Sequence, residues 1–285
     1  MMQKQSVLVL QGPKGTSADL SYLSETARAE GTHLSVLHVG PVTPVPAYAF
    51  GGMPYGAVEV PQRWIEDRQE LSRDLNAKRE ETNKFFSVEG ISGDAGVICT
   101  FAGNLDDVVA PRGMLCDLAI IQEDLREYEE AFRAMMYGLL FKSPAGVLLN
   151  PHRTAKPLQP AHVFIAWNTS KPAARAVREA MPMLLGADKV TIGTFDAVRS
   201  DTADGEEPGA DLARWLSHHG CDVTVRQYDS GGRDLGAAIR DEAGGVGADL
   251  IVMGAYGHTR LREAVFGGTT RSMVDQADAA VFLAH

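Results

Sequence analysis

At 285 residues, with 45% hydrophobic and 22% charged side chains, the chain is long enough for two domains of ordinary size and has the balance of a soluble globular protein. A formal net charge of −10 argues against a broad basic surface for nucleic acid, yet leaves room for a small anion pocket built from backbone N–H groups. No apolar run reaches membrane-spanning length, and the stretch 7–10 is too short for the core of a secretory leader. The cysteines Cys99, Cys116 and Cys221 have neither metal-ligand nor redox-pair spacing, so a reducing cytoplasmic setting is expected.

Strand and helix signals alternate from one end to the other, which predicts an α/β fold with a mainly parallel sheet. In the first half, strands are expected at 6–11, 33–39, 95–100, 118–122 and 146–149. Helices are expected at 18–30, 64–88, 105–114 and 129–141, with Ser17 capping the first. The second of these carries Asp74/Lys78 and Glu80/Lys84 at i,i+4 spacing. Between the second strand and that helix lies a Pro/Gly-rich segment, 41–61, with Tyr48, Phe50, Met53 and Tyr55. An apolar loop of this length suggests a lid, a docking surface or a disordered stretch.

Prolines at 151, 157 and 160 mark a linker over 151–160, and after it the order repeats. Strands are expected at 162–167, 190–195, 222–228, 250–253 and 280–284, and helices at 172–185, 211–219, 234–242 and 270–276. The two copies share words. Cys116-Asp117-Leu118-Ala119-Ile120-Ile121 answers Ala248-Asp249-Leu250-Ile251-Val252-Met253, and Ala145-Gly146-Val147-Leu148-Leu149 answers Ala279-Ala280-Val281-Phe282-Leu283. A repeat of roughly 140 residues is a duplicated domain rather than a solenoid unit of ~20–50. The expected units are 1–150 and 151–285. The fifth strand of each copy is short and apolar, and pairing them with each other would satisfy two open edges and make an internal pseudo-dimer.

One segment carries chemistry. Met253-Gly254-Ala255-Tyr256-Gly257 follows a strand, and Gly267-Gly268-Thr269-Thr270 opens a helix with Thr269 or Thr270 as its cap. Glycines here let a phosphate approach a helix N-terminus, where unpaired N–H groups and a partial positive charge await it. Arg260, Arg262 or Arg271 could add charge. The loop is neither a P-loop nor a dinucleotide fingerprint, because Gly-Lys-Ser/Thr and Gly-x-Gly-x-x-Gly are both missing.

The pattern Gly-x2-Gly-x9-Gly after an apolar strand ending in Met253-Gly254, with the tail 272–283, resembles the nucleotide-binding signature and closing elements of the universal stress protein family. The resemblance implies two tandem open parallel-sheet domains of Rossmann-like, adenine nucleotide alpha-hydrolase-like topology. It implies ATP or another adenine nucleotide, with or without Mg²⁺, in the second copy. Asn168 stands where the family usually has an Asp toward the ribose. Thr194 and Phe195 fall where backbone contacts reach the base. Gly254, Gly257 and Gly267 match the signature glycines, and Gly268 replaces the expected Ser/Thr ahead of Thr269 and Thr270. The implied role is stress response through binding. Further homodimerisation is open, as are two other roles: slow ATP hydrolysis or nucleotidyl transfer, and partner binding without nucleotide.

The first copy has lost this signature. After Ile121 it reads Gln122-Glu123-Asp124-Leu125-Arg126-Glu127, where carboxylates would repel phosphate and a solvated loop is expected. Gly12-Pro13-Lys14-Gly15 reads as a turn into a helix. His38 and His162 read as hydrogen-bonded strand residues, His218-His219 as a helix end, and Met135, Met136, Tyr137, Leu139, Leu140 and Phe141 as core or interface on a helix.

Overall fold

In the computed structural model, which describes residues 4–45, 60–196, 207–255, 268–276 and 278–285, both halves follow the same plan. The first runs β1 (Ser6–Gln11), α1 (Ser21–Glu30), β2 (His33–Val42), α2 (Gln62–Glu89), β3 (Gly93–Phe101), α3 (Leu105–Gly113), β4 (Leu118–Ile121), α4 (Glu129–Lys142) and β5 (Gly146–Leu149). The second runs β6 (His162–Trp167), α5 (Lys171–Glu179), α6 (Met181–Gly186), β7 (Lys189–Phe195), α7 (Ala210–His218), β8 (Val223–Tyr228), α8 (Leu235–Gly245), β9 (Leu250–Gly254), α9 (Gly268–Asp275) and β10 (Val281–Ala284). The 41–61 segment lies mostly outside the described residues, which stop at 45 and resume at 60.

Ten described strands form one sheet in the order β3-β2-β1-β4-β5-β10-β9-β6-β7-β8. All neighbours are parallel except β5 and β10, which meet antiparallel with Val281 opposite Leu149, Phe282 opposite Leu148 and Leu283 opposite Val147. The expected pairing of the two fifth strands is therefore present, and the second half's strand order mirrors the first's across it. Both strands are buried throughout, as befits an apolar strand covered on both faces. Helices cover the two faces and leave two cores, each shared by both halves. Val9, Val36, Leu148, Val163, Val252 and Phe282 belong to one; Leu10, Met135, Leu149, Ile251, Met273 and Leu283 belong to the other.

Polar contacts reinforce the joint. Asn150, just past β5, holds a left-handed backbone (φ 52°) and is buried. Its amide donates to the carbonyls of Gln276 (3.2 Å) and Ala279 (2.9 Å). Arg126 donates to the Val274 carbonyl at 2.6 Å and to Asn150 Oδ1 at 2.8 Å, with its guanidinium 4.9 Å from the centre of the Phe132 ring. The last turn of α9, in the second half, is thus capped by side chains from the first.

Several local expectations need correction. The helix expected at 172–185 is two, α5 and α6, which meet at Ala180 with Pro182 at the start of the second; proline has no N–H for a continuous ladder there. The connector 151–160 expected as a linker is packed against the first half: Pro151 and Leu158 are buried and Gln159 reaches Glu30 on α1. Asp19 accepts from Thr16 N and Thr16 Oγ1, so Thr16 caps the first turn and Ser17 bonds Glu81 instead. Lys78 donates to the Gly15 carbonyl (2.6 Å), drawn there because α2 lies over the loop after β1. The acidic run after β4 is a 3-10 turn, Glu123–Glu127, with Leu125 fully buried. The histidines fit their expected place: His162 Nε2 lies 2.8 Å from Thr191 Oγ1 and His38 Nε2 lies 3.0 Å from Thr82 Oγ1.

Replacing Asn150 by Ala removes the two amide bonds to Gln276 and Ala279 and one of the two acceptors of Arg126, so Asn150→Ala is expected to lower unfolding stability by about 1–3 kcal/mol in denaturant titrations. A second expectation concerns pH. Burial, aided by the nearby Lys78 charge and opposed by Glu81, pushes the His38 imidazole down to about 4. The unfolded chain takes up that proton near pH 6.5 and the folded chain does not, so this stability is complete above about pH 6.5 and is lost as pH falls toward 4. Burial lowers His162 in the same direction, so the comparison is made with His38→Asn: between pH 7 and 5.5 its melting temperature should fall less than that of the parent chain.

Candidate functional site

Strand order reverses at β6, whose neighbours are β7 on one side and β9 on the other. Chains leaving β6 and β9 turn to opposite faces of the sheet, and the crevice between them at the carboxyl edge is where open α/β sheets take ligands. Register fixes which residues meet there. Ala166 is opposite Met253, and Trp167 is opposite Thr194. Asn168, Phe195 and Gly254 are therefore the next residues along one rim.

Each rim residue has a describable place. Asn168 is exposed, and its Oδ1 accepts from Ser170 Oγ at 2.7 Å. Ser170 in turn caps α5, accepting from Ala173 N at 3.3 Å. Thr194 is buried, and its Oγ1 has no partner among the described residues. Phe195 stacks on Tyr228 at 5.2 Å between ring centres, and Phe164 packs edge-on beneath it at 6.3 Å. Met253 is buried in the core, so its backbone rather than its side chain faces the rim.

Gly254 is required by packing: a Cβ there would lie 2.4 Å from Ala173 N and 2.6 Å from the Pro172 carbonyl carbon. β9 thus ends against the first turn of α5, and this backbone approach draws the two sides of the crevice together. Ala255 then donates to the Ala284 carbonyl (2.8 Å), and His285 Nδ1 lies 2.9 Å from the Ala255 carbonyl. The loop leaving β9 starts from a fixed point. Gly257 and Gly267 lie outside the described residues, as do the arginines at 260 and 262.

The described chain resumes at α9, which begins at Gly268. Thr269 and Thr270 therefore sit inside the first turn, not before it as caps. Gly268 is exposed, with no described residue within 4 Å of the place a Cβ would take, Thr269 is half-buried and Thr270 is buried. The helix is seated on α8 by Ser272, whose Oγ donates to Asp234 Oδ2 at 2.6 Å while Arg240 donates to its carbonyl at 3.2 Å. The Ser272 hydroxyl and the Ala237 N–H hold the Asp234 carboxyl below its usual range.

Sequence reasoning missed three supports of this site. Asp196, with a positive φ of 50°, accepts from Ser230 N at 2.8 Å and ties the end of β7 to the loop after β8. The Asp234–Ser272 bond and the His285–Ala255 contact are the others. Each is a long-range contact between unremarkable polar residues. Asp234 alone had a local signal, as a helix cap. Among the described residues no cluster of His, Cys, Asp or Glu is arranged to hold a metal ion, and no helix is long and apolar enough to cross a membrane. A cavity of about 200 Å³ lined by Arg153, Arg240, Asp241 and Asp278 lies at the amino ends of β9 and β10, the opposite edge of the sheet.

Gly254→Ala tests whether the crevice depends on this backbone contact. Its methyl group meets backbone that cannot swing aside, so a loss of about 1–3 kcal/mol is expected in thermal or denaturant unfolding.

Residues 162–285 match the family model described as "Universal stress protein family". No curated protein matches the chain. Among solved structures, a universal stress protein from Archaeoglobus fulgidus DSM 4304 is similar over 99% of this chain and 97% of its own, with a TM-score of 0.67 at 15% identity. A protein of unknown function from Pseudomonas aeruginosa PAO1 is similar over 99% of this chain and 93% of its own (TM-score 0.52, 15% identity). At such identities the likeness is one of fold. Residues 162–285 thus belong to the universal stress protein family, and the chain as a whole has the fold of the full-length universal stress protein it matches.

Proposed function

We propose that the chain binds one adenine nucleotide, of ATP or AMP type, in the crevice between β6 and β9, and serves a cytoplasmic stress response by binding rather than turnover. The observation that carries this reading is the strand-order reversal at β6, within residues that match the family model. It brings the ends of β6, β7 and β9 to one rim. In this proposal the chain divides at 150/151 into two units, and the second holds the ligand.

The side chains suit graded roles. Asn168 offers an uncharged partner to a ribose hydroxyl. The backbone at Thr194 and Phe195 offers donors and acceptors to the base, beside the Phe195–Tyr228 stack. Gly254, Gly257, Gly267 and the N–H groups of Gly268, Thr269 and Thr270 make the phosphate end, where the helix dipole favours an anion. Thr269 is the more exposed of the two hydroxyls there that could meet a companion Mg²⁺, since Thr270 is buried. Efficient phosphoryl transfer relies on charge and metal positioning, and here Asn168 and Gly268 stand where a carboxylate and a hydroxyl are expected. Turnover should therefore stay far below the ~10 s⁻¹ median of enzymes.

Gly268→Asp separates binding from folding. No described residue lies within 4 Å of a Cβ there, and a carboxylate in the first turn favours the helix, so the melting temperature should hold or rise. The same carboxylate should repel phosphate and weaken ATP by about tenfold or more, about 1.4 kcal/mol. Calorimetry with ATP should give one site per chain in the parent protein. Unchanged affinity in Gly268→Asp, two equal sites, or turnover near the enzyme median would each contradict the proposal.

A further inference from the structure

The first half contains the same topological crevice, between β1 and β4, where its strand order reverses. The loops that frame it are 12–17 after β1 and the 3-10 turn Glu123–Glu127 after β4. In this crevice the carboxylate of Asp124 crosses from one loop to the other. Its Oδ1 accepts from Gly12 N at 3.1 Å and its Oδ2 from Gly15 N at 2.8 Å. Each oxygen is thus held by a backbone N–H more than a hundred residues away in sequence.

The loop is shaped around that group. A Cβ on Gly12 would lie 2.7 Å from Asp124 Oδ2, so a glycine is needed for the carboxylate to sit so close. Gly15 N–H also closes a turn on the Gly12 carbonyl (3.2 Å), which points the N–H groups of the loop to one side. Successive N–H groups converging on an anion form a concavity of the kind that also takes phosphate. Lys14 is paired with Glu127 of the same 3-10 turn, and Lys78 of α2 holds the Gly15 carbonyl. Burial, with the Asp19 carboxylate adding to it, raises the Asp124 pKa more than the Gly12, Gly15 and Lys14 N–H donors lower it, as expected for a carboxylate withdrawn from water into a crevice.

We propose that Asp124 is an intramolecular anion plug: its carboxylate occupies, between β1 and β4, a backbone anion site that would otherwise take a phosphate-bearing ligand. The first half is thereby fixed in a ligand-filled form whatever the nucleotide supply, and the loops after β1 and β4 are permanently bridged. The Glu127–Lys14 pair closes the same gap from its outer side. This goes beyond the nucleotide proposal, since it concerns the other half and does not require that the second half bind anything.

The test is NMR of the full chain with inorganic phosphate as probe, following the amide signals of Gly12 and Gly15. In the parent protein these signals should not move in a saturable way with phosphate, because the carboxylate is in place. In Asp124→Ala they should move and saturate, and added phosphate or formate should raise the variant's melting temperature without raising that of the parent. Asp124→Ser is the second variant, with a side chain too short to bridge the loops, and should behave alike. Saturable shifts in the parent would overturn the plug. A folded variant of either kind with no response at Gly12 and Gly15 would overturn the anion site and leave Asp124 as a strut. Because the probe is phosphate and the readout lies in the first half, failure of ATP binding in the second half would leave this result unaffected.

Discussion

The antiparallel contact between β5 and β10 is the constraint on which the rest of the molecule depends. Each half ends in four apolar residues that leave a sheet edge to be filled, and an exposed apolar edge invites association with other chains. Joining the two edges within one chain makes a single sheet and lets each core run through both halves. Asn150 and Arg126 then add hydrogen bonds where the joint meets α9. The helix that opens at the candidate phosphate end of the second half is therefore held at its other end by the first. A ligand at Gly268 and a strain at Asn150 act on the same eight-residue helix.

The same duplication produces two crevices with opposite chemistry. Between β1 and β4 an aspartate bridges the loops and a lysine–glutamate pair closes over it. Between β6 and β9 the rim is built from Asn168, the Phe195–Tyr228 stack and a backbone approach at Gly254, and the helix that follows starts with an exposed glycine. Anions are repelled by carboxylates and drawn to backbone N–H groups, and the two proposals above rest on this difference between the crevices.

Much of this was legible in the residues themselves. Strands such as 118–121 and 250–253 read as unbroken apolar runs because they are buried on both faces, and the repeated words around them disclosed the duplication. The Gly254-x2-Gly257-x9-Gly267 spacing pointed to the loop that leaves β9, and of its three glycines only Gly254, at the end of that strand, lies among the described residues. What was not legible depended on partners far away in sequence. Nothing local marks Lys78 for the Gly15 carbonyl rather than for Asp74, because the position of α2 over β1 is a tertiary fact. The acidic run after β4 read as a solvated loop, and only folding brings Asp124 to Gly12 and Gly15. Pro182 did carry a local signal for the break between α5 and α6, but the periodic apolar pattern on both sides masked it.

The central claim is that one crevice of this duplicated sheet receives a nucleotide and the other does not. Amide hydrogen exchange of the full chain with and without saturating ATP tests it most directly. Slower exchange is expected in peptides covering 253–272, with no change in those covering 10–17 and 122–128. Protection of the first-half peptides, or of neither set, would contradict the account.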